Sequence, residues 1–347
     1  MDALATGAGD QSRAIKFHGR WQEFLPIAIT NLLLTLVTLG IYRFWAKARA
    51  RRYLWSNTQI IDDPIEWTGT GGEMFIGFLI VMGGLFLLYL ISIGLIIATV
   101  AIHAPVLAIT LFVLLYVGLI WFLGFAQFRA LRYRLSRTWW RGIRGGSDDK
   151  GVSYANGAFG RTLLAAITGG ILFPHALVEN WNNRWNAMSF GPDRFESSCD
   201  TDGLTKRWLF VYGALAMSGV LLLAMRSTLG ENSFALIPVF YIAVGLATMA
   251  FWALFFRKAA ESLTIGGLSM AFPVSTRDWL MFYLKVAGLT IVTLGFGAMM
   301  WGFWRWQFVT DRLGLFGEVD VDALTQSTTS TPRDAEGFAD AFDVGAF

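Results

Sequence analysis

The sequence predicts an all-α polytopic membrane protein, a helical bundle with internal repeats and short β-hairpins in its cytoplasmic linkers. Three observations carry this prediction. Only 15% of the 347 residues are charged, against about 25% in a typical soluble chain. Residues 74–128 contain no Asp, Glu, Lys or Arg, and one membrane span needs only about 20 apolar residues. An apolar segment that ends in Thr-x-Gly also occurs three times.

The repeated unit is predicted to be a junction segment followed by two membrane spans. Residues 17–130 form the first copy, 131–258 the second, and 259–320 a third copy that stops after its junction. Each junction contains an apolar run that ends in Thr-x-Gly, and the three junctions are assigned to 21–53, 159–185 and 279–308. The spans are the longest charge-poor runs, and they are assigned to 74–101, 104–128, 208–226 and 234–256.

At the first junction, the apolar run changes after Gly40 into a ladder of cations and aromatic rings. Its candidate binding residues are Trp45, Arg49 and Arg52. One interpretation is an interfacial amphipathic helix whose cations bind anionic lipid at about 1 kcal/mol each. The other is a headgroup-recognition site in which Arg side chains clamp a phosphate with paired hydrogen bonds.

The placement of cations predicts the orientation. If the junctions enter and leave the membrane on one side, nearly every cationic cluster lies on that side, together with most loops and the C-terminus. Only the turn at His103 and the loop 227–233 then lie opposite, with Arg226 as their one cation. This fits the positive-inside rule with the cationic side in the cytoplasm. If instead all seven apolar segments span, successive clusters alternate between the two sides.

The linkers show alternating apolar residues, which is typical of short strands. Residues 57–69 surround an Asp-Asp-Pro turn, and similar alternation occurs at 194–199, 269–274 and 318–321. These strands either pair into a small sheet beneath the helices or are irregular loops. The polar residues 1–16 and the acidic residues 321–347 are expected to be disordered.

Two stretches are similar to a known family. Residues 17–71 (FHGRWQEFLPIAITNLLLTLVTLGIYRFWAKARARRYLWSNTQIIDDPIEWTGTG) resemble the repeat unit of the bacterial inner-membrane YjgN family. Residues 129–146 (RALRYRLSRTWWRGIRGG) resemble the stretch that follows that family's first repeat. In the family pattern, Gly precedes Pro-Trp, Arg and Arg-Tyr, whereas the second copy here has His175 and Glu179 in the Trp and Arg positions. The resemblance implies a polytopic protein of the inner membrane. It implies no activity, because the family is known only as a domain of unknown function.

No catalytic or metal-binding pattern is recognisable. The three His residues are far apart, Cys199 is the only cysteine, and no Gly-x-Ser-x-Gly motif occurs, so we expect no enzyme, metal site or cofactor. Lys285 and Glu179 are the ionisable residues inside apolar segments, and such residues often mark function. Together with Asn31 and His175 they could line a polar cavity among the junctions, or Lys285 could simply extend its amine to the interface.

The first functional hypothesis is transport of a small molecule, ion or lipid, by analogy with the broken helices of transporters. The second is a non-transporting protein that organises the membrane or binds lipids or a protein partner, whose identity the sequence does not indicate. Because every basic cluster adjoins an apolar run, anionic lipids rather than nucleic acids are the expected partners. If the junctions form a site, it lies where Gly40, Gly170 and Gly295 come together.

Overall fold

The computed structural model describes residues 14–231, 235, 237–317, 325–330 and 337–341. In these residues the chain is a helical membrane protein with a β-sheet at one end. Its α-helices are Trp21–Val37 (α1), Arg43–Ser56 (α2), Gly71–Ala101 (α3), Pro105–Arg137 (α4), Val152–Ile167 (α5), Phe173–Asn186 (α6), Leu204–Leu229 (α7), Ile237–Glu261 (α8), Thr276–Val292 (α9), Trp301–Thr310 (α10) and Gly337–Ala341 (α11). Its strands are Ile15–Phe17 (β1), Thr58–Ile60 (β2), Asp63–Trp67 (β3), Thr138–Trp140 (β4), Ile143–Gly146 (β5), Ser189–Phe190 (β6), Asp193–Ser197 (β7), Leu263–Ile265 (β8), Leu268–Ala271 (β9) and Gly314–Phe316 (β10).

The helices α1 to α10 form five helical hairpins, each of which leaves the sheet by one strand and returns by the neighbouring strand. Strand β1 precedes the hairpin α1–α2 and β2 follows it, and the two strands pair antiparallel with Phe17 opposite Thr58. The same relation holds for β3 with β4, β5 with β6, β7 with β8, and β9 with β10. Because paired strands lie only about 4.8 Å apart, both ends of every hairpin lie on the same side of the molecule.

Two of the hairpins, α3–α4 and α7–α8, are long enough to cross a membrane. All four of their helices have the length and apolar composition of a span, and they coincide with the four predicted spans. Helices α3 and α4 have 31 and 33 residues, or about 46 and 50 Å at 1.5 Å per residue. No residue in the most apolar part of either helix is buried, as expected for side chains that face lipid.

The other three hairpins, α1–α2, α5–α6 and α9–α10, coincide with the predicted junctions and are much shorter. Their helices have 10 to 17 residues, or about 15 to 26 Å, and the hydrocarbon core of a bilayer is about 30 Å thick. Their turns carry apolar side chains, of which Leu39 is 93% exposed and Leu294 is 90% exposed. These tips therefore pack against little of the protein.

The repeated Thr-x-Gly motif forms the turn of each short hairpin. Thr38 Oγ1 donates to the carbonyl of Leu34 and accepts the backbone N–H of Tyr42 at 2.9 Å. Gly40 has a φ of +91° and donates its N–H to the carbonyl of Thr35 at 2.7 Å. A left-handed residue that closes such a bond is the usual glycine ending of a helix. The same bonds recur in the other two turns at Thr168, Gly170, Thr293 and Gly295.

The ten strands form a single antiparallel sheet in which each strand pairs with the next one along the chain. The predicted hairpin at 57–69 is confirmed as β2 and β3, joined by Ile61 and Asp62 at positive φ. The expectation of an all-α bundle with separate short hairpins is too narrow. Strands β2 and β3 form one β-hairpin, and β4 and β5 form the next. The helical hairpin α3–α4 connects β3 to β4 and brings these two strands side by side. The other helical hairpins do the same, so strand pairing continues through the whole sheet. The strand predicted at 318–321 lies outside the described residues.

The last hairpin packs against the first, so that the helices close into a ring. The Trp306 ring stacks on Trp55 with centroids 4.2 Å apart, and its Nε1 donates to Thr58 Oγ1 at 2.9 Å. Phe303 lies 5.6 Å from Phe17 between ring centroids. These contacts belong to the main apolar core, which combines side chains of α1, α2, β3, α3, α4 and α10.

Both predicted disordered termini include residues that the structure places in contact with the ring. Lys16 lies in β1, paired with Gln59 of β2, because this edge of the sheet offers free backbone groups. In the acidic tail, the segments 325–330 and 337–341 pack against the sheet and the helices, and Asp340 is fully buried. The remaining residues of 1–16 and 321–347 lie outside the described part.

Candidate anion-binding site

The cation ladder of α2 divides between two faces of the helix. Arg49 and Arg52 are exposed, whereas Lys47 is half-buried and Arg51 is only 7% exposed. Positions 47 and 51 are four residues apart and therefore lie on one face, and positions 49 and 52 share another. The ladder thus supplies an outer pair of cations, Arg49 and Arg52, and an inner pair that faces the ring.

The inner pair binds Asp340 of α11. Both terminal nitrogens of Arg51 donate to the carboxylate, Nη1 to Oδ2 and Nη2 to Oδ1, the latter at 3.0 Å. Lys47 Nζ donates to the backbone carbonyl of Asp340 at 2.8 Å. The guanidinium carbon of Arg51 also lies 4.7 Å from the centroid of the Trp67 ring, which is within cation–π distance. Arg51 therefore meets the carboxylate in the two-pronged geometry that guanidinium favours.

Helix α4 supplies the third cation. Arg134 donates from Nε at 3.0 Å and from Nη2 at 2.9 Å, both to Oδ1 of Asp340. Arg134 lies in the last turn of α4, where the carbonyl end of a helix favours positive charge. We call Lys47, Arg51, Arg134 and Asp340 the Asp340 cluster.

Helix α11 is held between α3 and α4, which places Asp340 at the cluster. The Phe338 ring stacks near Phe78 with centroids 6.2 Å apart. A Cβ at Gly337 would come within 3.2 Å of the Tyr133 ring and 3.3 Å of Met74, so only glycine fits this close without a shift of its neighbours. The short helix therefore fits tightly into the groove.

The electrostatics of the cluster favour an ionised carboxylate. Burial raises the pKa of the Asp340 carboxyl, but Arg51 and Arg134 outweigh this effect and hold the pKa well below its usual range. Removal of one partner from a buried ion pair costs about 3–5 kcal/mol. The cluster therefore connects the C-terminal segment to α2 and α4 through an ionised carboxylate.

Two further arginines bind the segment 325–330. Arg132 Nη2 donates to Ser330 Oγ at 2.9 Å, and Arg144 Nη2 donates to the carbonyl of Thr329. Gln326 accepts the backbone N–H of Arg144 at 3.2 Å. Burial lowers the pKa of Arg144, and the nearby charges of Arg137 and Arg132 lower it further. We call Arg51, Arg132, Arg134 and Arg144 the arginine chamber, since all four donate to the C-terminal segment.

The predicted glycine site has a structural role in each turn. In the part of the chain that the structure describes, nothing lies within 4 Å of a Cβ built at Gly40 or Gly295, and a Cβ at Gly170 would meet Tyr212. The three glycines therefore do not touch one another. Their possible contact with a ligand stays a prediction.

The other predicted site residues are spread over the surface of the ring. Trp45 is 37% exposed, with its ring 5.4 Å from that of Phe75 on α3. His175 is exposed near the start of α6, and Glu179 is half-buried one turn later. Lys285 is exposed on α9, where its amine can extend along the helix surface. The structure brings none of these side chains together with Lys285.

Sequence reasoning missed Arg51, Arg134 and Asp340 as members of one site. A signal was present, because the 30 residues after Gly317 carry seven acids and one cation while the basic clusters precede the strands. Composition alone could not show which acid meets which cation across 289 residues of chain.

Metal and thiol chemistry have little support in the described residues. No group of three or more His, Cys, Asp or Glu side chains is arranged there to hold a metal ion. Cys199 is buried, and its burial and then the charge of Asp200 raise the pKa of the thiol. A raised pKa keeps a cysteine in the unreactive thiol form at neutral pH.

Comparison with known proteins gives one family and a set of bacterial relatives. A family model described as a bacterial protein of unknown function, DUF898, matches residues 12–341. The inner membrane protein YjgN of Salmonella typhimurium LT2 is 32% identical over 147 residues, which cover 42% of this chain and 34% of that protein. The YjgN protein of Escherichia coli K12 is 32% identical over 133 residues, or 38% of this chain and 30% of that protein. The chain thus covers about a third of the length of these curated relatives. No solved structure matches it.

Proposed function

The chain belongs to the family of bacterial proteins of unknown function DUF898, and from that membership we propose that it is a multi-pass protein of the bacterial inner membrane that binds anionic lipid headgroups in the cytoplasmic leaflet. The curated relatives are named inner membrane proteins, and four helices here are long and apolar enough to span. The proposal also uses the one-sided arrangement of the hairpins and the position of their cations.

The sheet faces the cytoplasm in this proposal. Helices that return to the sheet carry cations in their last turn, such as Arg137 of α4, Arg184 of α6 and Lys258 of α8. Among the described residues at the far tips of the two long hairpins, Arg226 is the one Lys or Arg. The positive-inside rule then assigns the sheet to the cytoplasmic side.

The three short hairpins enter the cytoplasmic leaflet and return. Their exposed apolar tips suit a hydrocarbon environment, and the Thr-x-Gly turns satisfy backbone groups that lipid cannot. Each of the first two short hairpins precedes a long one, and the third stands alone. This order supports an internal repeat of one junction and two spans.

Lipid binding is assigned to the outer face of α2. Arg49 is exposed at the middle of α2 and Arg52 is exposed about one turn nearer the sheet, while Trp45 is partly exposed one turn closer to the apolar tip. Aromatic rings favour the membrane interface, and each cation near an anionic surface adds about 1 kcal/mol. The observation that carries the proposal is this combination of exposed cations with a hairpin whose tip is apolar and exposed.

Lipid transport is the second candidate. Short and long hairpins alternate in the ring, and a hydrophobic surface shorter than the bilayer thins it locally. A thinner bilayer shortens the distance that a lipid headgroup has to cross between the two leaflets. Liposomes that contain the full-length protein distinguish the two functions, since transport requires movement of a labelled lipid between leaflets and binding does not.

Binding is tested with the full-length protein in nanodiscs that contain phosphatidylglycerol or phosphatidylcholine. The paired change Arg49→Gln and Arg52→Gln removes about 2 kcal/mol of attraction, or about a 30-fold loss of phosphatidylglycerol retention by native mass spectrometry. Phosphatidylcholine retention should not change. Arg226→Gln removes one cation on the opposite side of the membrane in the proposed topology. It is the matched control for the single variant Arg49→Gln. Equal phosphatidylglycerol retention in all variants would overturn the proposal.

A further inference from the structure

We infer that the arginine chamber is a binding site for a phosphate group and that the C-terminal segment occupies this site as an internal competitor. Arg51, Arg132 and Arg144 of the chamber are buried, whereas Arg49 and Arg52 are exposed. The inference therefore goes beyond the proposed headgroup binding, and each of the two can fail while the other stands.

The contacts of Asp340 are those that a phosphate would make. Arg51 and Arg134 each donate two hydrogen bonds to the carboxylate, and Lys47 donates to the carbonyl of the same residue. Guanidinium forks match carboxylate and phosphate oxygens equally well, and lysine is a common point charge in phosphate sites. Asp340 can thus stand in for a phosphate oxyanion.

The distribution of buried charge also favours an anion in this place. In the described part of the chain, Arg51, Arg132, Arg144 and Arg184 are each less than 9% exposed, and Asp340 is the one acidic residue that is comparably buried. Arg51 has its carboxylate partner in Asp340, and a buried charge that loses its partner is costly. The carboxylate comes from the C-terminal segment and not from the ring itself. When the segment leaves, an anion from outside can take over its contacts.

The segment is attached in a way that allows it to leave. Its described residues form no strand pairs with the sheet. Its acceptors for the chamber include the carbonyl and Oγ1 of Thr329, the carbonyl and Oγ of Ser330, and the Asp340 carboxylate. Helix α11 has only five residues, far fewer than an isolated helix needs for stability in water. Its order therefore depends on docking, and docking competes with any anion that binds the chamber more tightly.

The ligand class is a phosphate monoester or diester. Two sources share this chemistry, a lipid headgroup in the cytoplasmic leaflet and a soluble phosphate in the cytoplasm. Inorganic phosphate in detergent micelles probes the soluble source. Nanodiscs with phosphatidylglycerol, compared with phosphatidylcholine, probe the lipid source.

The first test measures probe binding by full-length wild type and Asp340→Asn, with Asp202→Asn as the control because Asp202 is exposed at the start of the second long hairpin. Asp340→Asn removes the competing charge and should raise the affinity for one of the two probes at least 10-fold, while the control matches wild type. A gain for inorganic phosphate supports the soluble source, and a gain for phosphatidylglycerol alone supports the lipid source. No gain for either probe overturns the inference.

The second test uses a chain that retains Asp340, so its result does not depend on whether Asp340→Asn folds. A nitroxide is attached to Thr328→Cys in a Cys199→Ser chain, since Thr328 is an exposed residue within the docked segment. Saturating probe should increase the mobility of this label several-fold in its electron paramagnetic resonance spectrum. A label at Asp202→Cys should not respond. If neither inorganic phosphate nor phosphatidylglycerol mobilises the label at 328, the segment is not a competitor.

Discussion

Arg134 donates two hydrogen bonds, at 3.0 and 2.9 Å, to one carboxylate oxygen of Asp340, which is 206 residues away in the chain. This contact joins the returning end of the first long hairpin to the C-terminal segment. Arg51 holds the other oxygen from the first short hairpin. The C-terminal segment thus connects the first short hairpin, α1–α2, to the first long hairpin, α3–α4.

Docking of the C-terminal segment should depend on pH in the acidic range. The pKa of Asp340 is lower in the docked state than its unfolded value of about 3.9. The carboxylate therefore stabilises docking above about pH 4, and this contribution is lost as the pH falls towards the lower docked value. A nitroxide at Thr328→Cys should stay immobile at pH 5 and become progressively more mobile as the pH falls below about 4. In Asp340→Asn the same step should disappear, and its persistence there would assign the step to other groups.

Gly40→Ala should destabilise the protein by about 1–2 kcal/mol. A Cβ at Gly40 has open space around it, but its φ of +91° is unfavourable for any L side chain. Gly83 is a matched control, because it also has open space but lies inside helix α3, where alanine is favoured by about 1 kcal/mol. Thermal unfolding in detergent should show a lower midpoint for Gly40→Ala and no loss for Gly83→Ala. Equal midpoints would mean that the turn is not under this constraint.

The Cys199 thiol should react slowly at neutral pH. Burial and Asp200 raise its pKa, so the reactive thiolate is scarce at pH 7 and increases only at alkaline pH. A maleimide should modify Cys199 at least 10-fold more slowly than an exposed cysteine placed at Asp202→Cys in a Cys199→Ser chain. Fast modification of the folded wild type at pH 7 would show that the site is open or the thiol activated.

Replacement of Arg by Lys should affect the two groups of cations differently. Arg49→Lys with Arg52→Lys keeps both charges on an exposed face, so phosphatidylglycerol retention should stay within about twofold if the attraction is simple charge. A large loss would instead indicate two-pronged recognition of the phosphate. Arg134→Lys removes a fork that makes two hydrogen bonds to Asp340, so it should mobilise a label at Thr328→Cys.

The sequence predicted the features that depend on local composition. Charge-free runs located the four helices that are long and apolar enough to span, and the three Thr-x-Gly motifs marked turns that the structure builds with equivalent hydrogen bonds. The sheet was harder to predict, because strands such as Thr138–Trp140 have two to five residues and too little alternation to detect. Their pairing depends on the helical hairpins that bring them together.

The Asp340 cluster was not predictable from local pattern. One basic run contains all four cations of α2. Only the packing of the helix separates the inner pair, Lys47 and Arg51, from the outer pair, Arg49 and Arg52. The acidic tail has the composition of a disordered segment. Its order at Asp340 comes from contacts with cations that are distant in the chain.

The central claim is that all five helical hairpins begin and end on the cytoplasmic side. The most direct measurement is a topology reporter fused after Arg194, in strand β7 after the second short hairpin, compared with one fused at the C-terminus. Our account predicts a cytoplasmic signal from both fusions, because each short hairpin returns to the side from which it enters. Signals from opposite sides of the membrane would show that a junction crosses, and would contradict the account.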